Sequence, residues 1–307
     1  MRPNPGLAVT AEASVQTIGN AVSQVRPSQA AIFPFTRFFI HLAAAVCALV
    51  AWPVFAVGAN SLDDCDQADL KLYFSLAVMA EQAYDESQSG LEQTPSGCVA
   101  LIRKDADGNL VIAFRGSMLG DRKPKHRFSN LGGANIRRNY RDWVATNLKQ
   151  ATGFLPRQYV EAASLVEGHV RNHPTDKQVY ITGHSKGGGA AAYAYVAVRL
   201  SPTLSTDQVR RMRCITFNAA VVKERNWRRL FRRLSPNADI AEREPAAGSI
   251  EAVVMAEDPV SRIGASEERQ YVKRISITPA ADLTPNEQHG IHVVLNEIRR
   301  RLSAQSQ

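Results

Sequence analysis

The octapeptide TGHSKGGG, Thr182 to Gly189, places a serine between two glycines, with an apolar strand-like run before it and a small-residue run after it. A serine hydroxyl is a poor nucleophile at neutral pH unless a base takes its proton and a carboxylate orients that base. Where a strand ends in such a turn and a helix follows at once, the serine is forced into a strained, exposed bend. The flanking glycines then let strand and helix approach without side-chain clashes. A phosphate-binding turn or a plain helix start is the competing reading of the same residues.

The nucleophile reading requires an acid and a histidine, in that order, further along the chain. Of the seven histidines, only His289 and His292 follow a candidate acid. His289 falls in NEQHG, expected to be a loop from which the ring reaches a neighbouring strand end. His292 is placed one turn into the final helix, where it would cap that helix or face solvent. His184, directly before the serine, is expected to leave the strand on the opposite face and to be structural. For the acid, SIEAVVMAEDPV offers an apolar strand opening into a turn at Asp258. Asp239 lies in a polar loop and Asp282 follows no strand, so Asp258 is preferred; its bland alternative is a turn residue before proline.

Acyl transfer also needs donors aimed at a developing oxyanion. The backbone N–H of Lys186 is one candidate. The second is sought after an earlier strand, where IAFRGS brings Ser117 with both an amide and a hydroxyl. Ser117 in an ordinary turn is the alternative. No metal or cofactor is required for this chemistry.

These residues must be held by elements that the sequence makes legible. From Asp66 onward, Leu70, Tyr73, Phe74 and Ala77 recur at helical spacing, which predicts a helix capped by Asp66. CVALIR and LVIAFRG flank the turn signal Asp105–Asn109 and predict a hairpin. The polar, basic stretch Asp121–Arg141 reads as a loop or lid. Beyond it comes an alternation: helix QYVEAASLVEGHVRNH, strand QVYIT, helix GGGAAAYAYVAVRL, strand RCITF, basic helix KERNWRRLFRR, strand IEAVVMA, a further strand YVKRISI and a last helix IHVVLNEIRRRL. Such alternation predicts an α/β protein with a mainly parallel sheet and helices on both faces. Ligands of such sheets sit at the carboxyl ends of the strands, where Ser185 falls.

The 307 residues carry a formal net charge of +8, which favours an anionic partner such as an acidic membrane surface. Neither a zinc-like cysteine pair, nor aromatics interleaved with basic runs, nor a repeat period is present, so nucleic acid is not expected. The sequence carries nothing that indicates an oligomeric state. Residues 1–59 form an N-terminal extension in which Arg37 precedes the apolar run FFIHLAAAVCALVAWPVFAV and the small residues of Val57-Gly58-Ala59. This predicts an export signal cut after Ala59, giving a secreted or periplasmic protein. The alternative is a retained membrane anchor over residues 38–57. Residues 60–307 are then one domain. After a cut three cysteines remain, of which Cys65 and Cys98 could pair and Cys214, in CITF, reads as a buried thiol.

From about Leu70 to Leu302, through AFRGS, RDWVATNL, ATGFLPRQYVEAASLV and VYITGHSKGGGAA, the chain resembles the class 3, fungal-type lipase family and its bacterial phospholipase-like branch, within the α/β-hydrolase superfamily. The resemblance implies an α/β-hydrolase fold and a lipid ester substrate, of the triacylglycerol lipase or phospholipase A type. It further implies Ser185 as nucleophile, Asp258 as acid, His289 as base, Ser117 and Lys186 as oxyanion donors, and a lid over Asp121–Arg138. Two departures stand out: Lys186 replaces the leucine the family commonly carries after the nucleophile, and the surroundings of His289 differ from the family's. The rival from another class is a non-catalytic membrane-surface binding protein of the same fold, which would need no triad.

Overall fold

VYITGH, MRCITF and IEAVVM are apolar almost without alternation, as expected of strands covered on both faces. In the computed structural model, which describes residues 60–117, 155–174, 177–234, 245–262 and 271–306, they are β5 (Val179–His184), β6 (Met212–Phe217) and β7 (Ile250–Met255). They lie side by side and parallel, at the centre of a single eight-stranded sheet. The remaining strands are β1 (Asn60–Ser61), β2 (Leu91–Gln93), β3 (Val99–Lys104), β4 (Leu110–Phe114) and β8 (Val272–Ile277), and the order is β1-β8-β7-β6-β5-β4-β3-β2. Only β3 runs against the others, antiparallel to both β2 and β4. The hairpin β3–β4 forms where Asp105-x-x-Gly108 predicts it. The Asp105 carboxylate accepts from the amides of Asp107 and Asn109, and Gly108 takes a φ of 80° that other residues avoid.

Helices cover both faces. On one lie α1 (Gln67–Gln82) and the long C-terminal helix α8 (Ile291–Gln305), which bury Leu70, Tyr73, Leu76, Val294 and Ile298 against Ile215, Phe217 and Val253. Asp66 caps α1, its carboxylate accepting from the Asp69 amide, as its sequence position implied. On the other face lie α2 (Arg157–Asn172), α3 (Lys186–Arg199) and α5 (Glu224–Leu234). A short α4 (Thr206–Arg210) leads into β6. Helix α3 is buried on nearly every side, and its run of glycines and alanines lets it lie close to the sheet and to α2. Removal of each large core side chain from water contributes roughly 1.5–3 kcal/mol, so this two-sided core holds the strands in register. With a mainly parallel sheet, a leading hairpin and helices on both faces, the chain has the α/β-hydrolase fold.

The cysteines correct the sequence reading. Cys65, Cys98 and Cys214 are all free thiols. Cys65 packs with the core on the α1 face, whereas Cys98 is buried in the core on the α3 face, so the sheet separates them. The apolar segment 38–57, the stretch Asp121–Arg141 and Asp239 lie outside the described residues. Among the described residues no helix is long and apolar enough to cross a membrane.

Candidate active site

Four parallel strands, β4 to β7, end on one edge of the sheet, and each hands its chain to the site: β4 to Gly116-Ser117, β5 to Ser185, β6 to Asn218, and β7 to Asp258. Ser185 occupies the single position between the last residue of β5 and the first of α3. Its backbone adopts φ 57°, ψ −127°, a left-handed conformation that costs a non-glycine residue about 1–3 kcal/mol. Two neighbours make the bend possible. A β-carbon on Gly187 would overlap the Phe114 carbonyl, and one on Gly183 would lie 2.6 Å from the Gly187 carbonyl group. Helix α3 therefore starts hard against β4 and β5.

The main chain of Ser185 is fixed on both sides. Its N–H donates to the Phe217 carbonyl at 3.0 Å, and its own carbonyl accepts from the Ala220 N–H at 3.0 Å. The side chain is nearly buried, at 8% exposure. Its Oγ lies 2.9 Å from Nε2 of His289, whose Nδ1 lies 2.7 Å from Oδ1 of Asp258. A carboxylate can only accept, so Nδ1 carries the proton, and Nε2 is left to accept from the serine hydroxyl.

Asp258 caps a short helix, α6 (Pro259–Arg262), and is wholly buried. Its Oδ2 accepts from the Ser261 amide at 2.8 Å and its Oδ1 from the Val260 amide at 3.3 Å. Burial works to raise the carboxyl, but the bonds from His289 and Ser261 outweigh it and hold the group below the usual carboxylate range. Asp258 is therefore both the end of a helix and the partner of an imidazole, and stays ionised in both roles.

His289 was expected in a loop. It is instead the C-cap of a short helix, α7 (Pro285–Gln288), which Thr284 and Glu287 close with a capping box. Thr284-Pro285-x-Glu287 is legible in the sequence as a helix start, and that signal could have found it. His292 is an exposed residue near the start of α8, whereas the ring that meets the Ser185 hydroxyl is that of His289. Asp282 is exposed as well.

His184 does not stand apart from the site. It is buried, its Nε2 donates to the main-chain carbonyl of His289 at 2.7 Å, and the two rings lie 4.9 Å apart between centroids. Its Nδ1 then accepts from the Tyr84 hydroxyl at 2.8 Å. Burial, then the neighbouring His289, depresses its pKa to about 3. Two residues with no sequence signal also meet here, Tyr84 after α1 and Asn218 after β6.

Ser117 is half-buried beside Gly116, whose main chain lies against Ser185: a β-carbon there would come within 3.1 Å of the Ser185 Cβ. Lys186 is the first residue of α3, and the first-turn amides of a helix have no partner within it. Burial, then Arg115, lowers the Lys186 ammonium. A water-sized cavity of about 20 Å³ behind α3, lined by Ala192, Thr216 and Trp227 among others, is far too small for an acyl chain.

A family model described as phospholipase-like, a Tle-like phospholipase domain, matches residues 75–273. Among solved structures the chain is similar to the triacylglyceride lipase of Rhizomucor miehei, at 14% identity over 64% of this chain and 74% of that one, with a TM-score of 0.35. It is similar also to lipase II from Rhizopus niveus, at 17% identity over 65% of this chain and 78% of that one, again with a TM-score of 0.35. No curated protein matches.

Proposed function

Since this chain belongs to the phospholipase-like family with a Tle-like phospholipase domain, and is on that ground a lipid hydrolase, we propose that it cleaves carboxylic esters of lipids through an acyl-enzyme on Ser185. The observation that carries the reading is the unbroken run Ser185 Oγ, His289 Nε2, His289 Nδ1, Asp258 Oδ1, at 2.9 Å and 2.7 Å. A protein that only bound membranes would have no use for it.

In this reading Ser185 attacks the ester carbonyl as His289 takes the hydroxyl proton, and Asp258 steadies the imidazolium that forms. The tetrahedral oxyanion points toward the Lys186 and Ser117 amides, whose dipoles are fixed before the charge develops. His289 returns its proton to the departing alcohol. Water then repeats the sequence on the acyl-enzyme and frees the acid. Anionic lipid is the favoured surface, drawn by the net charge of +8, and export past the inner membrane is how the enzyme would meet it.

Substrate class is tested directly. The purified protein is incubated with short-chain esters, triacylglycerols and diacyl phospholipids, and the products are identified by mass spectrometry. Release of fatty acid and lysophospholipid, absent with Ser185→Ala, is the expected result. Release of diacylglycerol or a free head group from the phospholipids would overturn it, because from that substrate those products need attack at phosphorus.

A further inference from the structure

The base sits on weak local footing. α7 contributes only four residues ahead of His289, and Gly290 follows it, so the segment has little intrinsic rigidity. Asp258 orients the ring but does not hold the backbone from which the ring hangs. Something else must, because a displacement of about 1 Å in a reacting group can cost on the order of a hundredfold in rate.

Resting on the proposed role of His289 as base, we infer that Asn218, seconded by His184, is the positioning residue that sets the Ser185–His289 distance by gripping the Gln288 and His289 carbonyls. Asn218 is wholly buried and adopts a left-handed φ of 42°, which an asparagine tolerates better than most residues. Its Nδ2 donates to the Gln288 carbonyl at 2.8 Å and to the His289 carbonyl at 3.2 Å. Its Oδ1 accepts from the Met255 amide at 2.9 Å, three residues before Asp258. Its own N–H donates to the Val253 carbonyl at 3.0 Å. One amide side chain therefore ties the strand that leads to the acid to the segment that carries the base.

The same short stretch holds the nucleophile. Phe217 accepts from the Ser185 amide and Ala220 donates to the Ser185 carbonyl, one residue before Asn218 and two after it. Residues 217–220 are thus a common frame: their main chain fixes Ser185, and their one polar side chain fixes His289. The second grip comes from the other direction. His184 is bonded covalently to Ser185, and its Nε2–H donates to the His289 carbonyl at 2.7 Å. With Nδ1 occupied by the Tyr84 hydroxyl, whose oxygen in turn accepts from the Gly116 amide, the ring is locked in the tautomer that donates at Nε2. The chain Gly116–Tyr84–His184–His289 thus runs from the strand end of the second oxyanion donor to the base.

The test uses Asn218→Gly, which keeps φ 42° without strain and removes only the side chain, together with His184→Leu and His184→Gln. Kinetics are measured on a soluble short-chain ester, per folded protein, beside wild type and Ser185→Ala. We expect kcat to fall about 10- to 100-fold in Asn218→Gly and His184→Leu, with KM within about threefold, and His184→Gln to recover most of the loss through its amide donor. The downfield proton resonance of His289 Nδ1–H, read by NMR without any substrate, should shift or broaden in Asn218→Gly and His184→Leu. An unchanged kcat and an unmoved resonance in Asn218→Gly would overturn the inference, as would a His184→Gln variant no better than His184→Leu. An inactive wild type, or full activity in Ser185→Ala, would instead remove the proposed function and leave the resonance to decide the positioning role.

Discussion

The side chain of His289 is one-quarter exposed, while the Asp258 carboxylate 2.7 Å away is wholly sealed from solvent. The base can thus meet substrate at Nε2 while its partner at Nδ1 is protected from water. Asp258→Asn should keep the α6 cap through its remaining oxygen but present an amide to Nδ1, favouring the wrong tautomer. In the serine protease triad the same change lowers kcat about 10⁴-fold, and a loss of about 10³ or more is expected here. Steady-state kinetics decide it; a loss below tenfold would remove Asp258 from the mechanism.

Strain at Ser185 separates stability from activity. Alanine at this position keeps the unfavourable φ of 57°, whereas glycine adopts it freely. Both substitutions should abolish acyl-enzyme formation. Ser185→Gly should unfold at a higher temperature than Ser185→Ala, by the equivalent of about 1 kcal/mol, since relief of strain exceeds the extra chain entropy. Calorimetry on the two variants checks the order, and the reverse order would show that the bend carries no strain.

The two candidate histidines differ in surroundings rather than in sequence context. His289→Ala removes the ring that lies between Ser185 and Asp258, so hydrolysis should fall as far as in Ser185→Ala. His292 is exposed near the start of α8, and His292→Ala should stay within about twofold of wild type, as surface substitutions usually do. Matched kinetics with one soluble ester distinguish them.

Much of this arrangement is legible in the chain, and what is not has a physical reason. The strands β3 to β8 and helices α1, α2, α3, α5 and α8 announce themselves through apolar runs, 3.6-residue spacing and the Asp105–Asn109 turn. The edge strands β1 and β2, of two and three residues, are too short to show a pattern of their own, and β1 is set by pairing with β8, more than two hundred residues away. Ser185, Asp258 and His289 could be selected because each sits where an element ends, and the structure brings the three together. Asn218 and Tyr84 could not, because an asparagine after a strand and a tyrosine after a helix are commonplace. Their meaning lies in the carbonyl and imidazole they meet, more than sixty residues away in sequence. His184 reads as structural from strand alternation, which says which face a side chain leaves from, but not that the base segment folds back over the strand end to meet it.

Recruitment to lipid is expected to rest on charge. Arg122, Lys123, Lys125, Arg127, Arg137 and Arg138 fall in a segment outside the described residues, read from sequence as a basic lid. Each cation near an anionic leaflet contributes on the order of 1 kcal/mol. Glutamine at these positions should weaken binding to anionic vesicles and spare hydrolysis of a soluble ester, and salt should mimic the change. Equal wild-type rates on anionic and neutral vesicles at low salt would rule the segment out.

Acid should loosen the protein through His184. Its folded-state pKa lies near 3, far below the ordinary histidine value of 6.5, chiefly because burial opposes the charged ring. Between those two values the unfolded chain binds a proton at this position that the folded chain does not, so stability must rise with pH across that window. The contribution is fully present above about pH 6.5, declines as the pH falls toward 3, and is spent below it. Asp258, held below the usual carboxylate range, adds a loss of the same sign at more acidic pH. The groups facing His184 are Tyr84, His289, Asp258 and His292, and the two carrying opposing charge effects, His289 and Asp258, are themselves paired. His184→Gln cannot titrate, so its melting temperature should fall less steeply than wild type between pH 6.5 and 4, although it starts lower at neutral pH. Parallel curves for the two proteins over that interval would show that the imidazole is protonated in the fold, and would break the assignment of its Nδ1 as acceptor from Tyr84.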